Sequence, residues 1–242
     1  MLNTNTVLLT QEDGVATITL NRPEAMNAMT NELMRGISQA LEDVRGNKAI
    51  RVVILTGNGR GFCAGADLVQ AAEPKKPVTD ESKQGDDFNA AMRALMDCPV
   101  PTIARINGPA AGGGFGLALA CDITVAAHSA FFVATFGPNL GIVPDMGATW
   151  SIPLRVGRAR ALGITLLGDR VSAEQALQWG MIWDAVEDSA LDTRVAEIAA
   201  VLKRSSPSAV TRTRQTIDAA IHNTFSDQLD LEMTHQAVLI PK

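Results

Sequence analysis

The residues of this sequence best suited to chemistry lie in two glycine-rich loops. The first loop spans residues 57–68 and the second spans residues 107–116. Each follows a short β-branched run and precedes a helical pattern. Because glycine lets backbone N–H groups approach a ligand closely and tolerates positive φ, two such loops can direct two amide donors at one oxygen. That arrangement is an oxyanion hole, and it predicts chemistry on a carbonyl group.

Alternating strands and helices must position the two loops. The apolar patterns predict strands at 6–11, 15–20, 52–56, 102–106 and 123–126, of which the first two form a hairpin with its turn at 12–14. They predict helices at 88–96, at 113–121 and after Thr30, which is the expected N-cap of that helix. From residue 190 onward the pattern is helical, with a break at 205–208. The sequence therefore predicts an α/β core followed by a helical C-terminal region.

Composition and charge exclude several classes of protein. The 242 residues are 46% hydrophobic and 19% charged, which is typical of a folded globular chain. The net charge of −5, without a basic block, argues against nucleic acid as a partner. The N-terminus lacks the features of a secretory signal, and no apolar stretch is long enough to cross a membrane. We therefore expect a cytoplasmic protein with no membrane partner.

The cysteines and histidines predict neither a disulfide framework nor a metal site. The three cysteines, at positions 63, 98 and 121, are odd in number and form no C-x-x-C pair. The three histidines, at positions 128, 222 and 235, lack the spacing of metal ligands. Cys63 lies in the first glycine loop without a histidine partner in a motif, so we expect it to be a buried apolar residue.

Several motifs together resemble the crotonase superfamily, the enoyl-CoA hydratase/isomerase proteins. They are Asn-Arg-Pro-Glu-Ala-Met-Asn-Ala at 21–28, Gly-Phe-Cys-Ala-Gly-Ala-Asp-Leu at 61–68, Asn-Gly-Pro-Ala-Ala-Gly-Gly-Gly at 107–114, Ala-Cys-Asp at 120–122 and Leu-Gly-Ile-Val-Pro-Asp-Met-Gly at 140–147. The similarity covers nearly the whole chain. Residues 166–183 are similar to the branch that holds the phenylacetyl-CoA pathway ring isomerase.

The resemblance implies a fold, an assembly and a class of substrate. The fold is a spiral of ββα repeats, at residues 1–189, followed by a helical trimerisation region at residues 190–242. The assembly is a homotrimer or a dimer of trimers. The substrate is a coenzyme A thioester, and no separate cofactor is expected because the substrate itself carries coenzyme A. Members of the family continue for one further helix, so we expect the C-terminal region to be truncated.

The resemblance also implies which residues form the site. The two oxyanion-hole amides are those of Ala66 and Gly113. The contacts with coenzyme A come from the loop at residues 21–27 and from the first glycine loop. The residues are Glu24, Ala25, Met26, Ala64, Gly65, Asp67 and Leu68. No residue is expected to bind a metal.

Two positions that carry glutamate in hydratases of this family are occupied by glycine here. They are Gly116, after the second glycine loop, and the position aligned near Gly137. Adding water to a double bond needs a group that holds or deprotonates the water and a source of the second proton. The absence of both carboxylates therefore disfavours a conventional hydratase.

Asp145 is the carboxylate that remains at a position where members of the family act with an aspartate. The sequence Pro-Asp-Met-Gly before a helix also suits an N-cap. A capping hydrogen bond would lower the pKa of this carboxyl group and weaken it as a base. The resemblance favours the catalytic role.

A single carboxylate suits an isomerase, which moves one proton between two carbons. The principal hypothesis is therefore an acyl-CoA isomerase that shifts a double bond, or rearranges an epoxidised aromatic ring, through an enolate. The alternatives are an enoyl-CoA hydratase, a hydrolase or dehalogenase that uses Asp145 as a nucleophile, and a non-catalytic protein that binds coenzyme A or serves assembly.

Two further features carry weaker expectations. Trp150, Trp179 and Trp183 could line an aromatic acyl pocket, although core packing is the default expectation for each. Residues 72–83 are rich in proline and charge and are predicted to form a surface loop.

Overall fold

Ten strands form two sheets in the part of the chain that the structure describes. This structure is a computed structural model that describes residues 3–68 and 86–240, so the loop predicted at 72–83 lies outside the described residues. The strands are β1 (Asn3–Thr4), β2 (Val7–Glu12), β3 (Val15–Leu20), β4 (Val52–Gly57), β5 (Thr102–Ile106), β6 (Ala110–Ala111), β7 (Ile123–Ala127), β8 (Phe131–Val133), β9 (Val171–Ser172) and β10 (Asp184–Val186).

The larger sheet has the order β1-β2-β3-β4-β5-β7-β10 and is parallel from β3 onward. The antiparallel pair β2–β3 is the predicted hairpin, and its turn residues Asp13 and Gly14 both have positive φ, as a tight two-residue turn requires. The smaller sheet contains β6, β8 and β9. Because the long strands are parallel, the loops that follow β4 and β5 emerge at the same edge of the sheet.

Nine α-helices accompany the strands within the described ranges. They are α1 (Asn31–Gly46), α2 (Asp86–Met96), α3 (Gly113–Leu119), α4 (Phe136–Leu140), α5 (Ala148–Leu167), α6 (Ala173–Gln178), α7 (Leu191–Leu202), α8 (Pro207–Ala219) and α9 (Phe225–Leu239). The hydroxyl of Thr30 accepts a hydrogen bond from the Leu33 amide at 3.2 Å and caps α1 as predicted. The apolar face of α1 is buried against the core, including Leu33 and Ile37.

The chain forms a spiral of ββα units. β5 in the larger sheet is followed by β6 in the smaller sheet and then by α3, and β7 is followed by β8 and α4 in the same way. Isolated parallel bridges, Met29 with Ala66 and Cys63 with Ala110, extend the smaller sheet to the turns that follow β3 and β4. This architecture confirms the fold class predicted for the chain.

The C-terminal helices differ in how they attach to this spiral. α7 packs on β5 and β7 and buries Leu191, Val195, Ile198 and Ala199. α8 and α9 pack on each other, and neither of these fully described helices contains a buried residue. A second break at 220–224, which the sequence pattern did not indicate, separates them and ends where Thr224 caps α9. The division at residues 189 and 190 stays a prediction.

Within the described residues, no helix combines the length and the apolar character needed to cross a membrane.

Candidate active site

The two glycine-rich loops meet at the edge of the sheet where β4 and β5 end. The amides of Phe62 and Cys63 both donate hydrogen bonds to the carbonyl of Pro109 at 3.1 Å, and the Ala111 amide donates to the Cys63 carbonyl at 2.9 Å. Each loop therefore supplies the backbone partners that the other requires. The loops form one rigid unit because these bonds run directly from loop to loop.

Close approach of the two loops depends on the absence of side chains. A Cβ added at Gly65, where φ is +93°, would lie 2.9 Å from the Ala111 carbonyl oxygen and 3.3 Å from the Gly113 nitrogen. A Cβ at Gly114 would lie 2.4 Å from the Cys63 carbonyl oxygen, closer than two such atoms can approach. The glycines are thus required by contact between the loops, and this contact brings Gly65 and Ala66 next to Gly113.

The amide of Ala66 is held in place by hydrogen bonds on both sides of it. Met29 donates from its amide to the Gly65 carbonyl at 2.7 Å and accepts from the Asp67 amide at 2.9 Å. In a trans peptide the C=O and N–H point in opposite directions, so the Ala66 N–H faces away from Met29. It has no acceptor among the described residues, and Ala66 is exposed.

The amide of Gly113 is the second donor without an acceptor in the described part of the chain. Gly113 is the first residue of α3, whose first amides have no partner within the helix. Gly112, with φ of +51°, donates to the Val133 carbonyl at 2.9 Å and accepts from the Phe115 amide at 3.0 Å, which orients the following peptide. The Gly113 amide therefore lies at the positive end of the helix dipole.

Asp145 lies beside this amide. A Cβ added at Gly113 would be 3.5 Å from Oδ1 of Asp145. Asp145 is exposed as a residue, but its carboxyl group faces packed atoms, and this desolvation raises its pKa against the opposing effect of a hydrogen bond from its own amide. The structure therefore brings together three residues predicted for the site, namely Ala66, Gly113 and Asp145.

Asp145 does not cap the following helix, so the N-cap alternative is wrong. The cap of α5 is Gly147, with φ of +70°, and no side chain makes a capping hydrogen bond. Asp145 contributes only its backbone carbonyl, which accepts from the Ala148 amide at 2.9 Å. Met146, which lies between Asp145 and the cap, has φ of +52°, in the left-handed region that residues other than glycine seldom adopt.

The two positions that would carry glutamate in a hydratase differ in the space around them. A Cβ at Gly116 would lie 2.3 Å from the Met146 carbonyl oxygen and 2.8 Å from its Cβ. A Cβ at Gly137 would meet only the Thr165 carbonyl oxygen, at 3.4 Å. Residue 116 therefore cannot carry a side chain while the segment with Asp145 keeps this conformation, whereas residue 137 can do so with a small adjustment.

The residues predicted to contact coenzyme A come from two segments that lie side by side. A short 3-10 helix, Pro23–Ala25, precedes Met26, whose carbonyl accepts from the Ala64 amide at 3.0 Å. Glu24 is exposed on this turn, and Leu68 is 54% exposed at the end of the first glycine loop. Gly65 is buried between the loops.

Asp67 is engaged by a residue that was not predicted. Nη1 of Arg22 lies 2.9 Å from Oδ2 of Asp67. Asn27, also not predicted, is fully buried at φ of +58° and donates to the carbonyls of Asn58 at 3.0 Å and Gly61 at 2.9 Å. Both residues lie in the Asn-Arg-Pro-Glu-Ala-Met-Asn motif, so their position in the motif was visible but their contacts were not.

Two of the three tryptophans are exposed, and one of them lines a cavity that does not include the predicted catalytic residues. Trp150 is 47% exposed and Trp183 is 63% exposed, so core packing is wrong for both, while Trp179 packs partly against the core with Arg160 over its ring at 5.3 Å. A cavity of about 610 Å³ lies between α8 and the carboxyl end of α3, and Trp150 and Arg155 line it. Ala66, Gly113 and Asp145 are not among its lining residues.

Cys63 is a packed residue. Burial raises the pKa of its thiol to about 12, and its Sγ donates to the Asn27 carbonyl at 3.2 Å. The predicted apolar role is confirmed by its complete burial. Within residues 3–68 and 86–240, no cluster of histidine, cysteine and carboxylate side chains is arranged to hold a metal ion.

Comparison with known proteins places this geometry in a family. The family described as Enoyl-CoA hydratase/isomerase matches residues 10–241. The chain belongs to the enoyl-CoA hydratase/isomerase family, as the motifs predicted.

Individual relatives carry different activities in their names. The chain is 44% identical over 227 residues to the 1,2-epoxyphenylacetyl-CoA isomerase of Escherichia coli, covering 93% of this chain and 86% of that protein. It is 38% identical over 227 residues to a probable enoyl-CoA hydratase of Rhodobacter capsulatus, covering 94% and 86%. Among solved structures, an enoyl-CoA hydratase subunit from Geobacillus kaustophilus superposes with a TM-score of 0.88 at 32% identity, covering 97% of this chain and 89% of that chain.

Proposed function

We propose that this protein is an acyl-CoA isomerase in which the Ala66 and Gly113 amides bind the thioester oxygen and Asp145 transfers the proton. The observation that carries the proposal is the carboxylate beside Gly113, next to two amides that have no acceptor among the described residues. A carboxylate near paired donors is the arrangement needed to remove a proton next to a carbonyl and to stabilise the charge that results.

In the reaction that we propose, the substrate is a 3-enoyl-CoA. Asp145 removes a proton from C2, and the electrons of the C–H bond move toward the carbonyl, which leaves a dienolate with negative charge on the thioester oxygen. The two amides donate hydrogen bonds to this oxygen. The protonated Asp145 then returns the proton to C4, and the double bond lies between C2 and C3. No water or external acid is consumed.

The environment of Gly116 supports isomerisation over hydration. A hydratase needs a second group that holds or deprotonates water, and the packing of Met146 leaves no space for a carboxylate side chain at residue 116. Residue 137 has more space but is also glycine. With Asp145 as the carboxylate beside Gly113, a proton that leaves one carbon is returned to another.

A ring substrate is the finer form of the proposal. The relative from Escherichia coli is named for a 1,2-epoxyphenylacetyl-CoA substrate, and the similarity to it extends over 93% of this chain. The same carboxylate and amides could support rearrangement of an epoxidised aromatic ring held as its thioester. Trp150, exposed on the first turn of α5 after Asp145, is available to contact such a ring.

The proposal includes a binding mode and an assembly. Coenzyme A would lie along the neighbouring segments with Glu24, Ala25, Met26, Ala64, Gly65 and Leu68, and with the backbone of Asp67. A homotrimer, single or doubled, would cover the exposed apolar side chains of α8 and α9, such as Phe225 at 80% and Met233 at 68% exposure.

The decisive test is turnover of a 3-enoyl-CoA in deuterated water, followed by mass spectrometry and NMR. We expect the 2-enoyl-CoA as product, and Asp145→Asn should lower kcat by about 100-fold or more because it removes the proton carrier. Binding of a saturated acyl-CoA should persist in the variant. Asp169→Asn, which changes an exposed carboxylate after α5, is the matched control and should retain full activity.

Each other outcome contradicts a stated part of the proposal. A hydrated product would identify a hydratase. Full activity of Asp145→Asn would place the proton transfer elsewhere. Covalent capture of substrate on Asp145 would identify the nucleophilic alternative, and tight binding without turnover of straight-chain or ring thioesters would identify a non-catalytic member.

A further inference from the structure

We propose that the ion pair between Arg22 and Asp67 is a positioning device for the Ala66 amide, a role that rests on the proposed function. Neither side chain is assigned to contact reacting atoms. The pair acts on the direction in which one backbone N–H points.

The pair is shielded and has a fixed geometry. Nη1 of Arg22 lies 2.9 Å from Oδ2 of Asp67, and the two side chains are only 20% and 14% exposed. The same nitrogen donates to the Ala28 carbonyl at 2.5 Å. Because most of the pair is removed from water, the attraction between its charges is screened less than in an ordinary surface ion pair.

Nη1 of Arg22 thus joins the segment that contains Ala28 to the segment that contains Asp67. Ala28 precedes Met29, which donates to the Gly65 carbonyl and accepts from the Asp67 amide. Arg22 donates to the carbonyl of Ala28, the residue before Met29, and pairs with the side chain of Asp67, the residue after Ala66. The Arg22 contacts therefore lie next to the parallel bridge between Met29 and Ala66 and fix the two bridged segments to each other.

Arg22 is itself fixed to the scaffold of the first glycine loop. Its amide donates to Oδ1 of Asn27 at 2.9 Å, and its carbonyl accepts from the Asn27 amide at 2.8 Å. Asn27 in turn donates to the Gly61 carbonyl at 2.9 Å. The contacts therefore run from the Gly61 carbonyl through Asn27 and Arg22 to Asp67, the residue that follows Ala66.

The two side chains contribute unequally to this contact. Arg22 bonds both the Ala28 carbonyl and the Asp67 carboxylate, whereas Asp67 takes part in only one of these two bonds. Arg22→Gln should therefore be more harmful than Asp67→Asn, because only the former removes both bonds.

The experiment uses the full chain and ¹³C-carbonyl-labelled butyryl-CoA, a saturated thioester that does not react. Infrared difference spectra report how strongly the bound carbonyl is polarised. In the unchanged protein we expect the carbonyl stretch to move to lower frequency on binding. In Arg22→Gln this shift should shrink, and kcat for a 3-enoyl-CoA should fall by about 10- to 100-fold, less than loss of a whole oxyanion-hole donor. The Kd for coenzyme A should stay the same.

Two further variants separate positioning from general structure. Arg22→Gln/Asp67→Asn should be no more impaired than Arg22→Gln, since the ion pair is already broken in the single variant. Arg194→Gln breaks the ion pair with Asp184, 2.6 Å long, between α7 and β10, and should change neither quantity. Far-UV circular dichroism verifies that each variant is folded.

The outcomes distinguish the two proposals. A normal carbonyl shift in the unchanged protein that persists in full in Arg22→Gln would overturn the positioning role alone. An unchanged protein that binds butyryl-CoA without any carbonyl shift would overturn the oxyanion hole, and the positioning role with it. A double variant clearly more impaired than Arg22→Gln would overturn the claim that Asp67 acts through Arg22.

Discussion

The spiral of ββα units and the helical hairpin α8–α9 use apolar residues in opposite ways. In the spiral the phenylalanines Phe62, Phe115 and Phe132 are completely buried. In the hairpin Phe225 is 80% exposed and Ile217 is 65% exposed. The spiral is therefore stabilised by its own interior, whereas the hairpin presents apolar surface that the described part of the chain does not cover.

The two regions also differ in what holds them in place. The glycine loops of the spiral are joined by backbone hydrogen bonds and by contacts that tolerate no added atom. The hairpin is attached by Arg214, whose Nε donates to Asp122 at 2.6 Å and whose Nη2 donates to the Val100 carbonyl at 2.8 Å. The candidate site thus belongs to the region with the tighter packing, and changes in the two regions should have separable effects.

The largest expected effect is a loss of stability when the contact between the two glycine loops is changed. Gly114→Ala would place a Cβ 2.4 Å from the Cys63 carbonyl oxygen, so the loops must separate. We expect the free energy of unfolding in urea to fall by about 3 kcal/mol, because backbone cannot move aside as a flexible side chain can. The matched control is Gly163→Ala in α5, where a Cβ meets nothing within 4 Å. That change should be neutral or stabilising by about 0.5–1 kcal/mol, and equal losses in both variants would contradict the packing argument.

The next effect should be confined to the hairpin. Arg214→Met removes the charged contacts with Asp122 and two carbonyls, at a site that is only 19% exposed on the arginine side. We expect a loss of about 2 kcal/mol, seen as faster hydrogen exchange in α8 and α9 with protection retained in β4 and β5. Arg212, two residues earlier on α8, makes no such contact among the described residues, where its buried Nε has no hydrogen-bond partner. Arg212→Met is therefore the control and should be neutral or slightly stabilising. Faster exchange throughout the spiral would show that the two regions unfold together.

A smaller effect on folding, but a clear effect on assembly, is expected from the exposed face of α9. Met233→Asp should change the free energy of unfolding by less than about 0.5 kcal/mol, because Met233 is 68% exposed. It should weaken self-association in sedimentation velocity, since a charge would be buried at the proposed interface. Met233→Leu keeps the apolar surface and should associate normally. Association of Met233→Asp at the normal strength would exclude this face from the interface.

The smallest expected effect is a shift in the pH at which activity declines. Asp145 must be ionised to act as a base, and desolvation raises its pKa. Activity should therefore decline on acidification at a pH above the ordinary aspartate value of about 3.9, with the plateau unchanged. The kcat for a 3-enoyl-CoA, measured against pH, tests this. A decline centred at or below the ordinary value would contradict it, and Asp169→Asn should leave the curve where it is.

Much of the fold was predictable because local patterns specify local structure. The hairpin before α1, the Thr30 cap and the strands that lead into both glycine loops agree with the apolar periodicity and capping signals. The strands of the smaller sheet were not predicted. β6, β8 and β9 have only two or three residues each, too short for a periodic signal, and they exist because of pairing with distant segments.

The sequence by itself determined the family, the two loops and the candidate carboxylate, because glycine spacing and motif order are properties of the chain. Only the tertiary structure decided that Asp145 lies beside Gly113 and does not cap α5, that Gly116 cannot carry a side chain, and that Arg22 pairs with Asp67. These are contacts between residues up to 45 positions apart, as Arg22 and Asp67 are. Their energies depend on distance and burial in space, which spacing along the chain does not encode.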